Sequence, residues 1–291
     1  MCSRIFIQIN CKLSYGIIFF LLLTFENETF GQYNSGKSDE EVLHLKTGEG
    51  VEFGIWGVDL KKTPKPVLFI LSSTIDETLS NEYFRQCGNR LGREFGWICV
   101  SIDLPYHGGL KTKGEPGELV GWAVAVSRGI DFVQENNKRM KSVLEYLIAE
   151  GYADKKKIAL CGTSRGGFLA LQFAAAEPMV KSLAVFAPVT DLSVLREFAG
   201  IKKTDIPMLF SLENKIEVLS GKWIWVVIGN MDTRVNTDEV IRFARNISRV
   251  AQNNKLKGGV ELNVMFEPRG HTTPAGSVDR AVEWISKKSD F

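Results

Sequence analysis

The sequence predicts an α/β fold, built on a mostly parallel β-sheet with helices on both faces. From residue 51 onward, short β-branched or aromatic runs alternate with longer helical patterns, and most of these runs are continuously apolar. Strands that are covered on both faces need apolar side chains in both directions, which continuous runs provide. The chain has 291 residues, 44% of them hydrophobic and 24% charged, which is enough for one large domain of this kind.

The individual elements follow from the same alternation. The predicted strands cover residues 51–58, 67–72, 98–104, 158–162, 183–187, 223–229 and 262–266. The predicted helices between them cover residues 81–95, 124–150, 164–176, 237–253 and 277–287. Residues 190–222 interrupt the rhythm, and we expect them to form a short cap insert that is too small to be a second domain. Residues 32–49 are predicted to be a polar lead-in, so the domain is expected to span residues 50–291.

The N-terminus has the layout of a secretory signal. Basic residues precede the apolar run 17–25, and polarity returns directly after it. The run is shorter than the ~20 apolar residues of a membrane span. Gly31 offers a small residue at a cleavage site, so we expect residues 1–31 to be removed and the mature chain to start near Gln32. This predicts a secreted or periplasmic protein without a stable membrane span after cleavage, with an uncleaved anchor as the alternative.

Composition and motifs argue against several other classes of protein. The net charge is +2 and the basic residues form no stripe interleaved with aromatic ones, so no nucleic-acid partner is predicted. Cys87, Cys99 and Cys161 form neither a CxxC pair nor a histidine-containing ligand pattern, so neither a disulfide framework nor a zinc site is expected. Phosphate-binding glycine motifs are missing as well. The sequence therefore predicts no cofactor and no metal.

One motif indicates a catalytic site. Gly162-x-Ser164-x-Gly166, within LCGTSRGGF, lies between a predicted strand and a predicted helix. Glycines on both sides let strand and helix pack closely around a sharply turned serine, and the helix start directs amide groups at a developing oxyanion. Here the chain resembles the α/β-hydrolase superfamily, over residues 50–288. It is more similar to the prolyl-oligopeptidase-like and small serine esterase branches than to lipases with long lids. The resemblance implies the α/β-hydrolase fold, with Ser164 as the nucleophile.

A serine nucleophile needs a neutral imidazole as its base. His271 follows the last predicted strand, where the superfamily places its catalytic histidine, whereas His44 lies in the lead-in. His107 lies in DLPYHGG, which resembles an Asp-x-Pro-x-His-Gly loop of the superfamily. That resemblance implies a shaping role near the pocket mouth for Asp103 and His107. His271 is the predicted base.

The acid is predicted from chain order, because the superfamily runs serine, acid, histidine. Asp232 follows the predicted strand 223–229 and is the preferred candidate, with a turn or helix-capping aspartate as its structural alternative. Asp238 and Glu267 are the other candidates. Asp238 would lie inside the following helix and Glu267 directly precedes a proline, so both fit less well.

The oxyanion hole needs two backbone donors. One should be the amide of Arg165, the residue after the nucleophile, and the other should come from the turn after strand 67–72. Superfamily members often carry a His-Gly sequence at that turn, whereas this chain has the sequence Ser-Ser-Thr-Ile at residues 72–75. The second donor is therefore predicted to be Thr74 or Ile75.

Together these features predict a serine hydrolase that acts on a small-molecule ester through an acyl-enzyme. A peptidase that cleaves short peptides with the same triad is the closest alternative. A non-catalytic binding protein that kept the hydrolase fold is a second alternative. A lipase that uses the apolar run 206–212 at a membrane surface is a third.

Overall fold

The computed structural model describes residues 41–57, 62–267 and 269–288. Within these residues, one eight-stranded sheet forms in the order β1-β2-β4-β3-β5-β6-β7-β8. The strands are β1 Leu43–Lys46, β2 Glu52–Trp56, β3 Lys65–Leu71, β4 Ile98–Ser101, β5 Ala153–Thr163, β6 Val180–Phe186, β7 Trp223–Gly229 and β8 Gly259–Met265. The α-helices are α1 Ile75–Ser80, α2 Glu82–Arg85, α3 Gly88–Phe95, α4 Glu118–Ser127, α5 Phe132–Ala149, α6 Arg165–Ala176, α7 Ile216–Ser220, α8 Thr237–Asn253 and α9 Ser277–Lys288.

The order of the strands fixes where a site can form. β1 and β2 pair antiparallel at one edge, and β3 to β8 run parallel to one another. β3 lies between β4 on one side and β5 on the other, so the order of winding reverses between β3 and β5. Crevices form at the carboxyl ends of strands beside such a reversal. Leu71 pairs with Gly162 at this end of β3 and β5, directly below the predicted nucleophile.

The sheet is buried on both faces. Along β3, Val67, Phe69 and Leu71 point into a core shared with α5, α6 and α8, while Leu68 and Ile70 point into a second core shared with α3 and α9. All five side chains are fully buried. This arrangement explains the continuously apolar strands and confirms the predicted α/β-hydrolase fold class.

Two predicted helices are each divided in the structure. The stretch 81–95 forms α2 and α3, separated at Gln86, which has φ 49°. The stretch 124–150 forms the end of α4 and the whole of α5, because Gly129 turns the chain at φ 71° and Asp131 caps the start of α5.

The lead-in also differs from its prediction. The structure describes residues 41–49 of it, and Leu43–Lys46 form β1, which pairs antiparallel with β2. The short edge strand gave no clear apolar pattern because three of its four residues are exposed. The ordered domain therefore begins before residue 50.

The insert at 190–222 consists of short 3-10 turns followed by α7. Phe210 stacks on Phe132 of α5, with ring centroids 5.0 Å apart, and Arg234 Nη2 lies 2.8 and 2.9 Å from the two carboxylate oxygens of Glu197. The insert is thus packed on the helices beside the sheet and tied to the loop after β7. Across the described part of the chain, we find no helix with the length and apolar character needed to cross a membrane.

Candidate active site

The turn between β5 and α6 has the geometry that its sequence requires. Ser164 has φ 53° and ψ −117°, and its amide donates to Phe186 O at 2.9 Å. A Cβ atom at Gly162 would lie 2.5 Å from Gly166 O, and one at Gly166 would lie 1.9 Å from Leu71 O. Only glycine fits at either position. The close packing holds the serine in a strained conformation at the start of α6.

The structure brings Ser164, His271 and Asp232 together. His271 Nε2 lies 2.9 Å from Ser164 Oγ, and His271 Nδ1 lies 2.7 Å from Asp232 Oδ2. The aspartate side chain is fully buried, whereas that of the histidine is 15% exposed. With the Nδ1 proton donated to the carboxylate, Nε2 is free to accept the serine proton.

The backbone fixes the carboxylate of Asp232. Its Oδ1 accepts hydrogen bonds from the amides of Arg234 at 3.0 Å and Val235 at 3.2 Å, so Oδ2 faces the histidine. The cap of the following helix is Asn236, whose side chain accepts from the first amides of α8. Asp238 lies inside that helix and is exposed, as the sequence suggested for the less favoured candidate.

The second oxyanion donor differs in part from the prediction. The amide of Ile75 donates to Asp103 Oδ1 at 2.8 Å, and the amide of Ser73 donates to Thr78 Oγ1 at 3.1 Å. Ile75 is therefore not available to a substrate oxygen. In the described part of the chain, the amide of Thr74 has no protein acceptor, so Thr74 stays the predicted donor beside Arg165, which begins α6.

A small cavity of about 60 Å³ opens at the serine. It is lined by Ser72, Tyr83, Phe84, Thr163, Ser164, Arg165, Ala187, His271, Thr272 and Thr273. Tyr83 and Phe84 could not be recognised as site residues from the sequence, because they lie inside a stretch predicted to be one continuous helix. Thr272 and Thr273 directly follow the predicted base, and this proximity was the one available signal for them.

Two conspicuous side chains near the site have structural partners. Arg165 Nε donates to Ser72 O at 3.1 Å, and Nη1 lies 3.4 Å from Glu118 Oε2, so the guanidinium ties the helix start to the turn after β3. His107 is buried, and its Nδ1 lies 2.9 Å from Pro105 O. Burial lowers the pKa of His107, helped by the nearby Arg165 charge, which keeps the ring neutral.

Asp103 shapes the neighbouring loop. Its two carboxylate oxygens accept from the amides of Ile75 at 2.8 Å and Gly109 at 3.0 Å, joining the turn after β3 to the loop after β4. This geometry agrees with the shaping role that the resemblance implies.

The described residues hold no cluster of three or more histidine, cysteine, aspartate or glutamate side chains that could bind a metal ion. Cys87, Cys99 and Cys161 are buried, and none of them forms a disulfide among the described residues. Burial raises the pKa of the Cys87 thiol well above its ordinary value, with the adjacent Cys161 adding to the effect. A protonated, enclosed thiol is a poor nucleophile, so Cys87 does not compete with Ser164.

Comparison with protein families gives a match that covers more than half of the chain. The sequence model of the prolyl oligopeptidase family matches residues 134–291. The chain belongs to the prolyl oligopeptidase family. The matched region contains Ser164, Asp232 and His271, and the family supports a serine hydrolase.

Solved structures with this fold include both esterases and peptidases. Acetyl xylan esterase 1 from Thermoanaerobacterium sp. JW/SL YS485 shares 15% identity and a TM-score of 0.57, covering 88% of this chain and 85% of the esterase. The Pyrococcus furiosus esterase Pf2001 shares 18% identity and a TM-score of 0.58, with 86% and 93% covered. The Pyrococcus horikoshii acylaminoacyl peptidase shares 13% identity and a TM-score of 0.64, with 86% of this chain but 42% of the peptidase covered. A search of curated proteins gave no significant match.

Proposed function

We propose that this family member hydrolyses carboxylic esters with short acyl groups, using Ser164 as nucleophile, His271 as base and Asp232 as its orienting acid. The relay from Asp232 Oδ2 through the imidazole to Ser164 Oγ, with distances of 2.7 and 2.9 Å, carries the proposal. Distances in this range allow proton transfer along hydrogen bonds that already exist.

Acylation begins when Ser164 Oγ attacks the ester carbonyl carbon and His271 Nε2 takes the hydroxyl proton. The carbonyl oxygen then carries negative charge, which the amides of Arg165 and Thr74 would stabilise. When the tetrahedral intermediate collapses, the ester C–O bond breaks and Nε2 gives its proton to the departing alcohol. The acyl group stays on Ser164.

Deacylation repeats these steps with water. His271 Nε2 removes a proton from a water molecule as its oxygen attacks the acyl carbon. The bond to Ser164 Oγ breaks, and Nε2 returns the proton to the serine oxygen. The carboxylic acid leaves, and the enzyme regains its starting protonation state. Asp232 stays ionised and stabilises the imidazolium in both halves of the reaction.

The size of the cavity supports a short acyl group. A volume of about 60 Å³ holds only a few non-hydrogen atoms, since one water position needs ~10–15 Å³ by this kind of measure. Tyr83 and Phe84 are the aromatic residues of its lining. An acetyl or propionyl group fits this space, whereas a long acyl chain would have to leave it.

The charges at the cavity favour an ester over a peptide. The charged termini of a short peptide are costly to bury unless a protein group pairs with them. Among the described lining residues, Arg165 is the only lysine, arginine, aspartate or glutamate, and its guanidinium already contacts Ser72 O and Glu118. A neutral acyl group therefore matches the cavity better than a charged peptide end.

The test compares the purified protein on p-nitrophenyl acetate, butyrate and octanoate and on short peptide p-nitroanilides. We expect the acetate to have the highest kcat/KM and Ser164→Ala to abolish turnover. Ser127→Ala serves as the control, because Ser127 is an exposed serine at the end of α4. Faster cleavage of the peptides would show a peptidase. Activity that appears only with micellar octanoate would show a lipase. The absence of turnover on every substrate would favour the alternative of a non-catalytic binding protein.

We also propose that the protein is exported. The support is the sequence of residues 1–31, which lie outside the described residues. Amino-terminal sequencing of the protein recovered from its native compartment should give a start near Gln32, and a start at Met1 would contradict cleavage.

A further inference from the structure

Gln86 has a backbone conformation that its residue type does not favour. It follows α2 with φ 49° and ψ −124°, and it is only 2% exposed. Non-glycine residues seldom adopt positive φ, and where they do, the surrounding structure usually imposes it, often at functional sites. The side chain of Gln86 contacts residues at the candidate active site.

The carboxamide of Gln86 joins two parts of the candidate active site. Its Nε2 donates to Thr163 Oγ1 at 3.3 Å and to Thr273 Oγ1 at 2.9 Å. An amide nitrogen carries two hydrogens, so it can make both bonds at once. Because each hydroxyl can also donate, the same links would form if the amide oxygen and nitrogen were exchanged.

The two threonines lie next to two residues of the proposed triad in the sequence. Thr163 is the last residue of β5 and directly precedes Ser164, while Thr273 lies two residues after His271. One buried side chain thus connects the strand that carries the nucleophile to the loop that carries the base. Gln86 is not among the residues that line the described cavity.

The histidine loop has few other ties to the body of the domain. His271 itself bonds to Asp232 and Ser164, but the bond to Ser164 is lost each time the serine oxygen becomes acylated. Among the described residues, the other hydrogen bonds that join residues 269–273 to distant parts of the chain end on Gln86 and on Tyr83, whose Oη accepts from the Thr273 amide at 3.2 Å. The loop needs such an anchor while the triad bonds change.

We propose that Gln86 is a positioning residue that keeps His271 in register with Ser164 during turnover; this rests on the proposed serine-hydrolase function. Loss of the carboxamide leaves the cavity and the triad residues in place but lets the histidine loop shift. Misplacement of a catalytic group by about 1 Å can lower the rate ~100-fold. Because Gln86 does not touch the substrate cavity, the loss should fall on kcat and leave KM nearly unchanged.

The test uses the full chain with the near-isosteric variants Gln86→Met and Thr273→Val. Both remove the hydrogen bond between Gln86 and Thr273, and Gln86→Met also removes the bond to Thr163. We measure kcat and KM on p-nitrophenyl acetate, the rate of inactivation by a fluorophosphonate, and the thermal midpoint. We expect each variant to lower kcat and the inactivation rate by about 10- to 100-fold. Thr273→Ser, which keeps the hydroxyl, should lose less activity than Thr273→Val, and the double variant should be no worse than Gln86→Met alone.

Gln172→Met is the matched control. Gln172 is also 2% exposed, and its Nε2 donates to a backbone oxygen, Phe210 O, at 2.9 Å, on the side of α6 that faces the insert. We expect this variant to lose stability without losing kcat.

Three results would overturn the proposal: wild-type kcat and inactivation rate in Gln86→Met, equal damage from Thr273→Ser and Thr273→Val, or additive losses in the double variant. If Gln86→Met fails to fold, the comparison of the two Thr273 variants decides. If the wild-type protein itself does not react with the fluorophosphonate, the proposed function fails and this proposal fails with it.

Discussion

At the scale of single residues, the site is organised from the carboxylate outward. Backbone amides of Arg234 and Val235 hold one oxygen of Asp232, the other oxygen holds His271 Nδ1, and Nε2 then faces Ser164 Oγ. Each group is oriented by the one before it. This order places the imidazole before any substrate arrives, so little reorganisation is needed at the moment of reaction.

Asp232→Asn tests this arrangement. An asparagine can still accept from the two amides, but its NH₂ group would favour the wrong imidazole tautomer. We expect kcat on p-nitrophenyl acetate to fall by ~10⁴-fold with the fold intact, as for the equivalent change in a known serine protease. Asp238→Asn, at an exposed position in the first turn of α8, is the control and should keep near-normal activity. Equal activities of the two variants would contradict the assignment of the acid.

At the scale of elements, the junction of β5 and α6 positions the nucleophile. Gly166 lies so close to the end of β3 that no side chain fits between them, and a Cβ at Gly162 would clash with Gly166 O at 2.5 Å. The strand and helix therefore meet at a sharp angle, with Ser164 exposed to the cavity at the turn.

Gly166→Ala should break this junction. The new Cβ would lie 1.9 Å from the backbone oxygen of Leu71, a contact that no side-chain motion can relieve. We expect a loss of stability of at least about 1–3 kcal/mol, together with loss of esterase activity. Thermal unfolding followed by circular dichroism measures the first effect.

Gly200→Ala is the control, since a Cβ there meets nothing within 4 Å. A Gly166→Ala protein with the stability and activity of this control would show that the close approach is not needed.

The same elements show what the sequence could predict. The Gly-x-Ser-x-Gly turn and the order Ser164, Asp232, His271 were accessible because each residue follows a predicted strand, in the chain order of the superfamily. The roles of Ile75 and Gln86 were not, since their partners Asp103, Thr163 and Thr273 are distant in sequence. β1 was missed because an exposed edge strand carries little apolar periodicity.

At the scale of the whole molecule, the parallel sheet gathers residues that are far apart in the chain. Ser164, Asp232 and His271 follow β5, β7 and β8. The carboxyl ends of these parallel strands all lie on the same side of the sheet. Contacts at the opposite side, where the amino ends of the strands lie, stabilise the fold. There Lys222, directly before β7, donates from Nζ to Glu177 O at 3.1 Å and to Val180 O at 2.7 Å.

The environment of Lys222 predicts a pH dependence of stability. Burial lowers the pKa of Lys222 to about 8, from 10.5, with the neighbouring Lys181 charge contributing. Between these values the unfolded chain binds more protons than the folded one, so this lysine's contribution to stability rises with pH across that window.

Urea unfolding of the wild type and of Lys222→Met, at one pH below 8 and one near 10.5, isolates the effect. We expect the wild type to gain stability relative to the variant as the pH rises. Lys138→Met, at an exposed position on α5, should show no such trend. A pH-independent difference between wild type and Lys222→Met would contradict the lowered pKa.

The central claim is that His271 activates Ser164, and covalent labelling tests it most directly. The purified protein is treated with a fluorophosphonate and the adduct is mapped by mass spectrometry, beside His271→Ala. We predict a single adduct on Ser164 in the wild type and none in the variant. A folded wild-type protein that takes no label, or a variant that is labelled at the same rate, would contradict the account.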